Sequence, residues 1–118
     1  MATILVCDDA MFMRQSLIQM LKPEGHEVVA EAGNGLECIE QYKLYKPDIV
    51  LMDITMPDMD GLTALKKLKE IDSDVKVIMV SAMGQMNMVI EAVESGAKDF
   101  VVKPFTQEKI IQCINRYV

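Results

Sequence analysis

Side chains capable of polar chemistry follow directly after four short apolar runs in this 118-residue sequence. Each run is shorter than an ordinary helix and is typical of a strand that is buried on both faces of a parallel sheet. The side chains that follow the runs are carboxylates, a hydroxyl and an ammonium. They belong to Asp8, Asp9, Asp53, Ser81 and Lys103.

If these side chains converge, their combined chemistry suits a phosphoryl group. Three carboxylates close together repel one another unless a cation joins them. Oxygen ligands with room for water suit Mg²⁺, or Mn²⁺, better than zinc. Lys103 and Ser81 add an ammonium and a hydroxyl, which can stabilise phosphoryl oxygens. A carboxylate can also be the nucleophile that forms an acyl phosphate, and Asp53 is the best candidate because it stands alone on its strand.

Taken singly, each of these side chains has a simpler interpretation. The three aspartates could cap helices, Ser81 could be an ordinary loop hydroxyl, and Lys103 could be a solvated lysine. These interpretations do not explain why all of the side chains fall at the ends of predicted strands.

Five strand-like runs alternate with five helix-like patterns along the chain, the runs lying at 4–7, 28–30, 49–52, 77–80 and 100–102. This alternation predicts an α/β fold, (βα)5, with a parallel sheet covered by helices on both faces. Right-handed crossovers favour the flavodoxin-like strand order 2-1-3-4-5. That order places strands 1 and 3 side by side at the topological switch point. Asp8, Asp9 and Asp53 are then expected in one crevice, with Ser81 and Lys103 at the same edge.

Apolar residues at helical spacing predict which face of each helix is buried. Thr106 is predicted to cap the last helix. Met88 and Val89 lie beside the predicted stripe of the fourth helix and could contribute to a docking surface. The predicted buried residues are Met13, Leu17, Met20 and Leu21; Cys38, Ile39, Tyr42 and Tyr45; Leu62, Leu65, Leu68 and Ile71; Met86, Ile90 and Val93; and Ile110, Ile114 and Val118.

Composition and charge describe one globular domain over residues 1–118. The net charge of −6 and the pI of about 4.7 argue against nucleic acid or an anionic membrane as a partner. No apolar run approaches the roughly 18 residues of a membrane span, and no signal peptide precedes the first strand, so a cytoplasmic protein is expected.

The three cysteines and the single histidine are not expected to form a catalytic or metal site. Cys7, Cys38 and Cys113 are widely spaced without a C-x-x-C pair, which favours reduced cysteines that pack in the interior. His26 lies in a Pro-Glu-Gly turn and is predicted to be a solvated loop residue.

Over essentially its whole length, the sequence resembles the receiver domain of two-component response regulators. The resemblance rests on the Asp8-Asp9 pair, M-D-I-T-M-P-D-M-D-G at 52–61, S-A-M-G at 81–84 and K-D-F-V-V-K-P-F at 98–105. The S-A-M-G-Q and K-P-F segments are similar to those of stand-alone chemotaxis regulators. The resemblance implies a phosphorylation-activated regulator, rather than an enzyme that turns over a separate substrate.

The resemblance also implies roles for individual residues. Asp53 would accept a phosphoryl group, and Asp8, Asp9, Asp53 and the backbone carbonyl of Thr55 would hold Mg²⁺. Ser81 and Lys103 would bind the phosphoryl oxygens. Phe100 would move together with Ser81 as the switch, although it stands where the best-known chemotaxis regulators have tyrosine. The Lys103–Pro104 peptide bond would be cis.

The partners that the resemblance implies are proteins. A sensor histidine kinase would donate the phosphoryl group, and a phosphatase could remove it. A flagellar or archaellar motor switch protein or adaptor would bind the face formed by the fourth helix, fifth strand and fifth helix. The regulator itself is expected to be a monomer.

Two alternatives stay open from the sequence. The chain could be the receiver of a larger regulator, such as a transcriptional one. It could also be a Mg²⁺-dependent phosphatase of the haloacid-dehalogenase type, although such an enzyme would want a second acid where this chain has Thr55. A nucleotide-binding module is disfavoured because no glycine-rich phosphate loop is present.

Overall fold

Five parallel strands form a single sheet in the order β2-β1-β3-β4-β5, which confirms the predicted flavodoxin-like topology. The computed structural model describes residues 1–118. Helices follow the strands in regular alternation, and a 3-10 turn at Lys22–Glu24 follows the first helix. The elements are β1 (Thr3–Cys7), α1 (Met11–Leu21), β2 (Glu27–Ala32), α2 (Gly35–Tyr45), β3 (Ile49–Asp53), α3 (Gly61–Ile71), β4 (Val77–Ser81), α4 (Met86–Glu94), β5 (Asp99–Val102) and α5 (Gln107–Asn115).

Strand β3 lies at the centre of the sheet, and every one of its residues is buried. It pairs with β1 through Cys7 and Met52, and with β4 through Asp53 and Val80. Because the pairing is parallel, the carboxyl ends of β1, β3 and β4 reach the same edge. This register brings the residue after Cys7 alongside the end of β3, where Asp53 lies.

The core is divided by the sheet into two apolar clusters of 18 and 14 buried residues. The larger cluster contains Leu65 and Leu68 of α3, and the smaller one contains Leu17 of α1 and Ile110 of α5. Alternate residues of each strand point to opposite faces, so β1 contributes residues to both clusters. The helices therefore cover both faces, as the sequence predicts.

The buried face predicted for the fourth helix is wrong. Met86 and Ile90 are each 51% exposed and Val93 is also exposed, whereas Val89 and Ala92 are buried. Apolar residues lie all around this helix, so spacing alone did not identify the side that packs. Val89 and Ala92 pack into the larger core cluster, which leaves Met86, Ile90 and Val93 in solvent. Val89 therefore does not belong to an exposed docking surface, whereas the side chain of Met88 is exposed to solvent.

Three residues predicted to be buried at helix ends are exposed instead. Tyr45 and Ile71 are the last residues of α2 and α3, and Val118 ends the chain beyond α5. Helical periodicity does not extend to Val118, which lies three positions beyond Asn115, the last residue of α5. The predicted cap is confirmed, because the Thr106 side chain accepts a hydrogen bond from the Lys109 N–H at 3.2 Å.

His26 is buried, which contradicts the prediction of a solvated loop residue. Gly25 adopts a left-handed φ of 83° and turns the chain back toward β1. The His26 Nδ1 atom accepts a hydrogen bond from the Ala2 N–H at 3.1 Å. Its Nε2 atom lies 3.1 Å from the Asn115 side-chain oxygen. The ring thus joins the two ends of the chain to the start of β2.

The cysteines are buried and free, as predicted. The sulfur atoms of Cys7 and Cys38 lie 2.8 Å apart between β1 and α2. No helix of the structure is long and apolar enough to cross a membrane.

Candidate functional site

Three aspartates meet where β1 and β3 end. Ligand oxygens of Asp8, Asp9 and Asp53 all lie within 4.8 Å of one another. Asp8 is 2% exposed and Asp53 is 7% exposed, whereas Asp9 faces solvent. The structure therefore brings together the carboxylates that the strand order predicted, with one of them open to the outside.

Lys103 reaches this cluster from the end of β5. Its Nζ atom donates a hydrogen bond to Asp8 Oδ2 at 3.0 Å and lies 3.7 Å from Asp53 Oδ1. The backbone N–H of Lys103 also donates to the carbonyl of Ser81 at 2.7 Å, which fixes the start of the loop beside β4. The Lys103–Pro104 peptide bond is cis. One ammonium thus faces two buried carboxylates.

The environment of Asp53 makes its carboxyl group a weaker acid than an ordinary aspartic acid. Burial raises the pKa of the Asp53 carboxyl, the negative charge of Asp8 raises it further, and the value is about 6. Lys103 and the backbone N–H of Thr55 act in the opposite direction, because both stabilise the carboxylate. A cation at this position would relieve the repulsion that raises the pKa.

The Asp8 carboxylate is held in place by its own loop. Its Oδ1 atom accepts a hydrogen bond from the Ala10 N–H at 2.9 Å. The Arg14 guanidinium donates to the Asp8 carbonyl at 2.7 Å and pairs with Glu31 at 2.9 Å. These contacts connect α1 and β2 to the acid cluster. Arg14 does not stand out in the sequence, because its partners come from separate elements.

The loop after β3 folds back tightly onto the strand end. The N–H of Gly61 donates to the carbonyl of Ile54 at 2.8 Å, and a Cβ on Gly61 would lie 2.0 Å from the Asp53 carbonyl oxygen. Only glycine permits this approach. Asp60 then caps α3 by accepting a hydrogen bond from the Thr63 N–H at 2.8 Å. This packing places the start of α3 against the end of β3.

Ser81 and Phe100 lie on the same face of the sheet. Ser81 is buried at the end of β4 and pairs with Val102, which is two residues beyond Phe100 on β5. Because side chains alternate along a strand, Phe100 and Val102 share a face. Phe100 is half-buried against the larger core cluster. A change at Ser81 can therefore reach the aromatic ring through one face of the sheet.

The carboxylate oxygens of the cluster are suitable ligands for a hard cation. Two of the three aspartates are buried beside one another, and only one lysine offsets their charge. Oxygen ligands of this type are preferred by Mg²⁺, which retains several of its waters. The residues present therefore fit a divalent metal ion.

Comparison with known proteins gives the family. The family model of the response regulator receiver domain matches residues 4–115. The chain belongs to that family.

Several receiver proteins resemble the whole of the chain. The chemotaxis protein CheY of Bacillus subtilis is 55% identical over 113 residues, which cover 96% of this chain and 94% of CheY. A crystal structure of a CheX–CheY complex with BeF3 and Mg²⁺ from Borrelia burgdorferi is 38% identical with a TM-score of 0.92, covering 98% of this chain and 89% of that one. NtrX from Brucella abortus is 30% identical with a TM-score of 0.92 over 98% of this chain, which spans only 26% of NtrX.

One contact of this receiver domain could not be predicted from the sequence. The half-buried side chain of Gln85 bridges the loops that follow β3 and β4. Its Oε1 atom accepts a hydrogen bond from the Ala82 N–H at 2.7 Å, and its Nε2 atom donates to Thr55 Oγ1 at 2.7 Å. Gln85 lies three positions after Ala82 but thirty positions after Thr55, and no sequence pattern marks the second contact.

Proposed function

We propose that this receiver domain is a phosphorylation-activated response regulator that accepts a phosphoryl group on Asp53 from a sensor histidine kinase. The observation that carries the proposal is the position of the Asp53 carboxylate, which lies 3.7 Å from the Lys103 ammonium and beside two further acids. A nucleophile, a cation and ligands for a metal ion are thus provided by a single chain.

In the proposed reaction, one carboxylate oxygen of Asp53 attacks the phosphorus of a phosphohistidine. The new O–P bond forms as the P–N bond breaks, and the imidazole leaves with the electron pair and takes up a proton. Lys103 and the Ser81 hydroxyl stabilise the oxygens of the transferred group. The product is an acyl phosphate on Asp53, and its hydrolysis returns the chain to its starting state.

The metal that fits this proposal is Mg²⁺, or Mn²⁺ in its place. Asp8, Asp9 and Asp53 would hold it through carboxylate oxygens, and Thr55 through its backbone carbonyl. When bound, the ion neutralises charge on the carboxylates and on the phosphoryl oxygens. Asp8 is fixed by Ala10 and Lys103, whereas the exposed Asp9 is free to adjust to the ion.

The output of the proposed switch is a change in affinity for a protein of the motility apparatus. Similarity to CheY proteins over nearly the whole chain supports a chemotaxis role. The proposed docking face is the one formed by α4, β5 and α5, and α4 contributes the exposed apolar side chains of Met86, Ile90 and Val93 to it. We assign this surface to a flagellar or archaellar motor switch protein or adaptor.

Chemical phosphorylation tests the reaction without a kinase. Incubation with acetyl phosphate and Mg²⁺ is expected to add one phosphoryl group, detected by intact-mass spectrometry and by its lability to hydroxylamine. The Asp53→Asn variant is expected to remain unlabelled. Asp58→Asn is the matched control, because Asp58 lies exposed in the loop after β3, outside the acid cluster, and should be labelled normally. Labelling that survives Asp53→Asn, or that is unaffected by EDTA, would contradict the assignment.

The proposed switch roles of Ser81 and Phe100 are tested by measuring how phosphorylation changes binding to a target protein. Ser81→Ala and Phe100→Ala should both still be phosphorylated, because neither residue supplies the nucleophile. Each should show a much smaller phosphorylation-dependent gain in binding to a target recovered with beryllofluoride-treated protein. Equal gains for the wild type and both variants would rule out this route from Asp53 to the surface.

A further inference from the structure

The Gln85 side chain connects the two loops that flank Asp53. Thr55, which accepts the Gln85 Nε2–H, stands two residues after Asp53, and its backbone N–H stabilises the Asp53 carboxylate. Ala82, whose N–H is bound by Gln85 Oε1, directly follows Ser81 at the end of β4. The Gln85 side-chain amide therefore bonds to both loops. Its oxygen accepts from the Ala82 N–H, and its nitrogen donates to the Thr55 hydroxyl oxygen.

The backbone of the same residue starts α4. The Gln85 carbonyl accepts hydrogen bonds from the N–H groups of Met88 and Val89, each at 3.0 Å. Val89 is buried, so this first turn is anchored to the core, while Met88 is exposed. The side chain of Gln85 reaches the loops beside Asp53, and its main chain holds the helix that carries the apolar surface.

Gly84 forms the turn that directly precedes Gln85. Its φ of 88° is left-handed, and a Cβ there would meet no atom within 4 Å. Because a side chain there would meet no neighbouring atom, glycine is favoured by the left-handed backbone conformation and not by a close contact. The Gln85 side chain makes two hydrogen bonds from the loop between β4 and α4, whereas the neighbouring Ala82 and Met83 are exposed.

A phosphoryl group on Asp53 would compete with this contact. It introduces anionic oxygens at the edge where β3 and β4 end, and an N–H group bonds more strongly to an anionic oxygen than to a neutral amide oxygen. Ala82 directly follows Ser81 at the end of β4, so its N–H lies at the edge where those oxygens would appear. Once the N–H leaves Gln85, the bridge between the two loops is broken.

We propose that Gln85 is a positioning residue that acts as a latch on the unphosphorylated state. Its side-chain amide holds the loop between β4 and α4 through Ala82 and Thr55, and a phosphoryl group on Asp53 releases it by taking the Ala82 N–H. The start of α4 then shifts with the loop. This inference rests on the proposed function and adds to it the residue that links the acid cluster to α4.

The test uses beryllofluoride as a stand-in for the phosphoryl group, titrated into the Mg²⁺-loaded full chain and followed by ¹⁹F and ¹⁵N NMR. Removing the latch should favour the bound state, so Gln85→Ala should bind beryllofluoride about three- to tenfold more tightly, which is within the range expected for the net contribution of one hydrogen bond. Gln85→Met, which keeps the bulk of the side chain and loses both bonds, should show the same change. Gln19→Ala, at an exposed position on α1, should bind like the wild type.

A second readout separates a latch from a general loosening of the structure. Without beryllofluoride, the amide signals of Met88 and Val89 in Gln85→Ala should already lie close to their positions in the beryllofluoride-bound wild type. Thr55→Val removes only one of the two bonds and should have a smaller effect. In the Gln85→Ala background, Thr55→Val should add nothing, because the hydroxyl acts through Gln85.

The outcomes distinguish this inference from the function on which it rests. Wild-type affinity, or weaker binding, in both Gln85→Ala and Gln85→Met would overturn the latch while leaving phosphorylation of Asp53 intact. Additive effects of Thr55→Val and Gln85→Ala would also overturn it. Failure of the wild type to bind beryllofluoride would overturn both the latch and the proposed function.

Discussion

The carboxylate of Asp53 is both the proposed nucleophile and a source of instability in the folded chain. Its pKa of about 6 lies above the ordinary value of 3.8, chiefly because the group is buried and then because Asp8 is near. Between these two values the folded state binds more protons than the unfolded state. The free energy of unfolding therefore falls as the pH rises through this window, and the loss is complete above it.

Replacing Asp53 by Asn should remove this pH dependence. In EDTA, the stability of Asp53→Asn relative to the wild type should increase from about pH 4 to about pH 6 and then remain constant. Urea unfolding at a series of pH values measures the difference. Asp58→Asn is the control, since Asp58 lies exposed outside the cluster. Parallel stability profiles for Asp53→Asn and the wild type would show that the Asp53 pKa is not raised.

At the scale of elements, the site depends on how closely α3 approaches β3. Gly61→Ala places a Cβ 2.0 Å from the Asp53 carbonyl oxygen, so either the loop or the strand end must move. We expect a loss of about 1–3 kcal/mol in the free energy of unfolding, which is typical of overpacking, together with slower labelling by acetyl phosphate. Gly33→Ala is the control, because a Cβ there first meets Glu37 Oε1 at 3.4 Å. Equal stability of the two variants would contradict the close approach.

Residues whose positions follow from the strand order of the sheet could be predicted from the sequence. Asp8, Asp53 and Lys103 converge because parallel strands that end in polar residues must present them at one edge of the sheet. The buried face of α4 could not be predicted, because Met86, Val89 and Ile90 are all apolar. Only the packing of the helix against the core selects which of these residues is buried.

Contacts between distant parts of the chain also escaped prediction. His26 is buried because Ala2 and Asn115 reach it from the two ends of the chain. Gln85 reaches Thr55 across the sheet edge in the same way. Such contacts depend on loop conformations that neither periodicity nor turn residues specify. The contact of Gln85 with Thr55 is one of the two through which the proposed latch operates.

At the scale of the whole molecule, the net charge of −6 complicates any test of metal binding. Divalent cations accumulate around an acidic protein and screen its charges without occupying a particular site. A rise in melting temperature with Mg²⁺ therefore does not by itself identify the acid cluster. The chain offers a comparison that removes this ambiguity, because Asp9 belongs to the cluster and Asp74 lies exposed before β4, at the opposite edge of the sheet.

Mg²⁺ at millimolar concentration should raise the melting temperature of the wild type, since a ligand that binds only the folded state stabilises it. At one hundred times its dissociation constant, the ion would add about 2.7 kcal/mol to the free energy of unfolding. Asp9→Asn and Asp74→Asn change the net charge equally, so screening should affect them equally. Scanning calorimetry should show that Asp74→Asn keeps the gain and Asp9→Asn loses most of it. Equal gains in the two variants would mean that Mg²⁺ acts through general screening, and the cluster of Asp8, Asp9 and Asp53 would then not be a metal site.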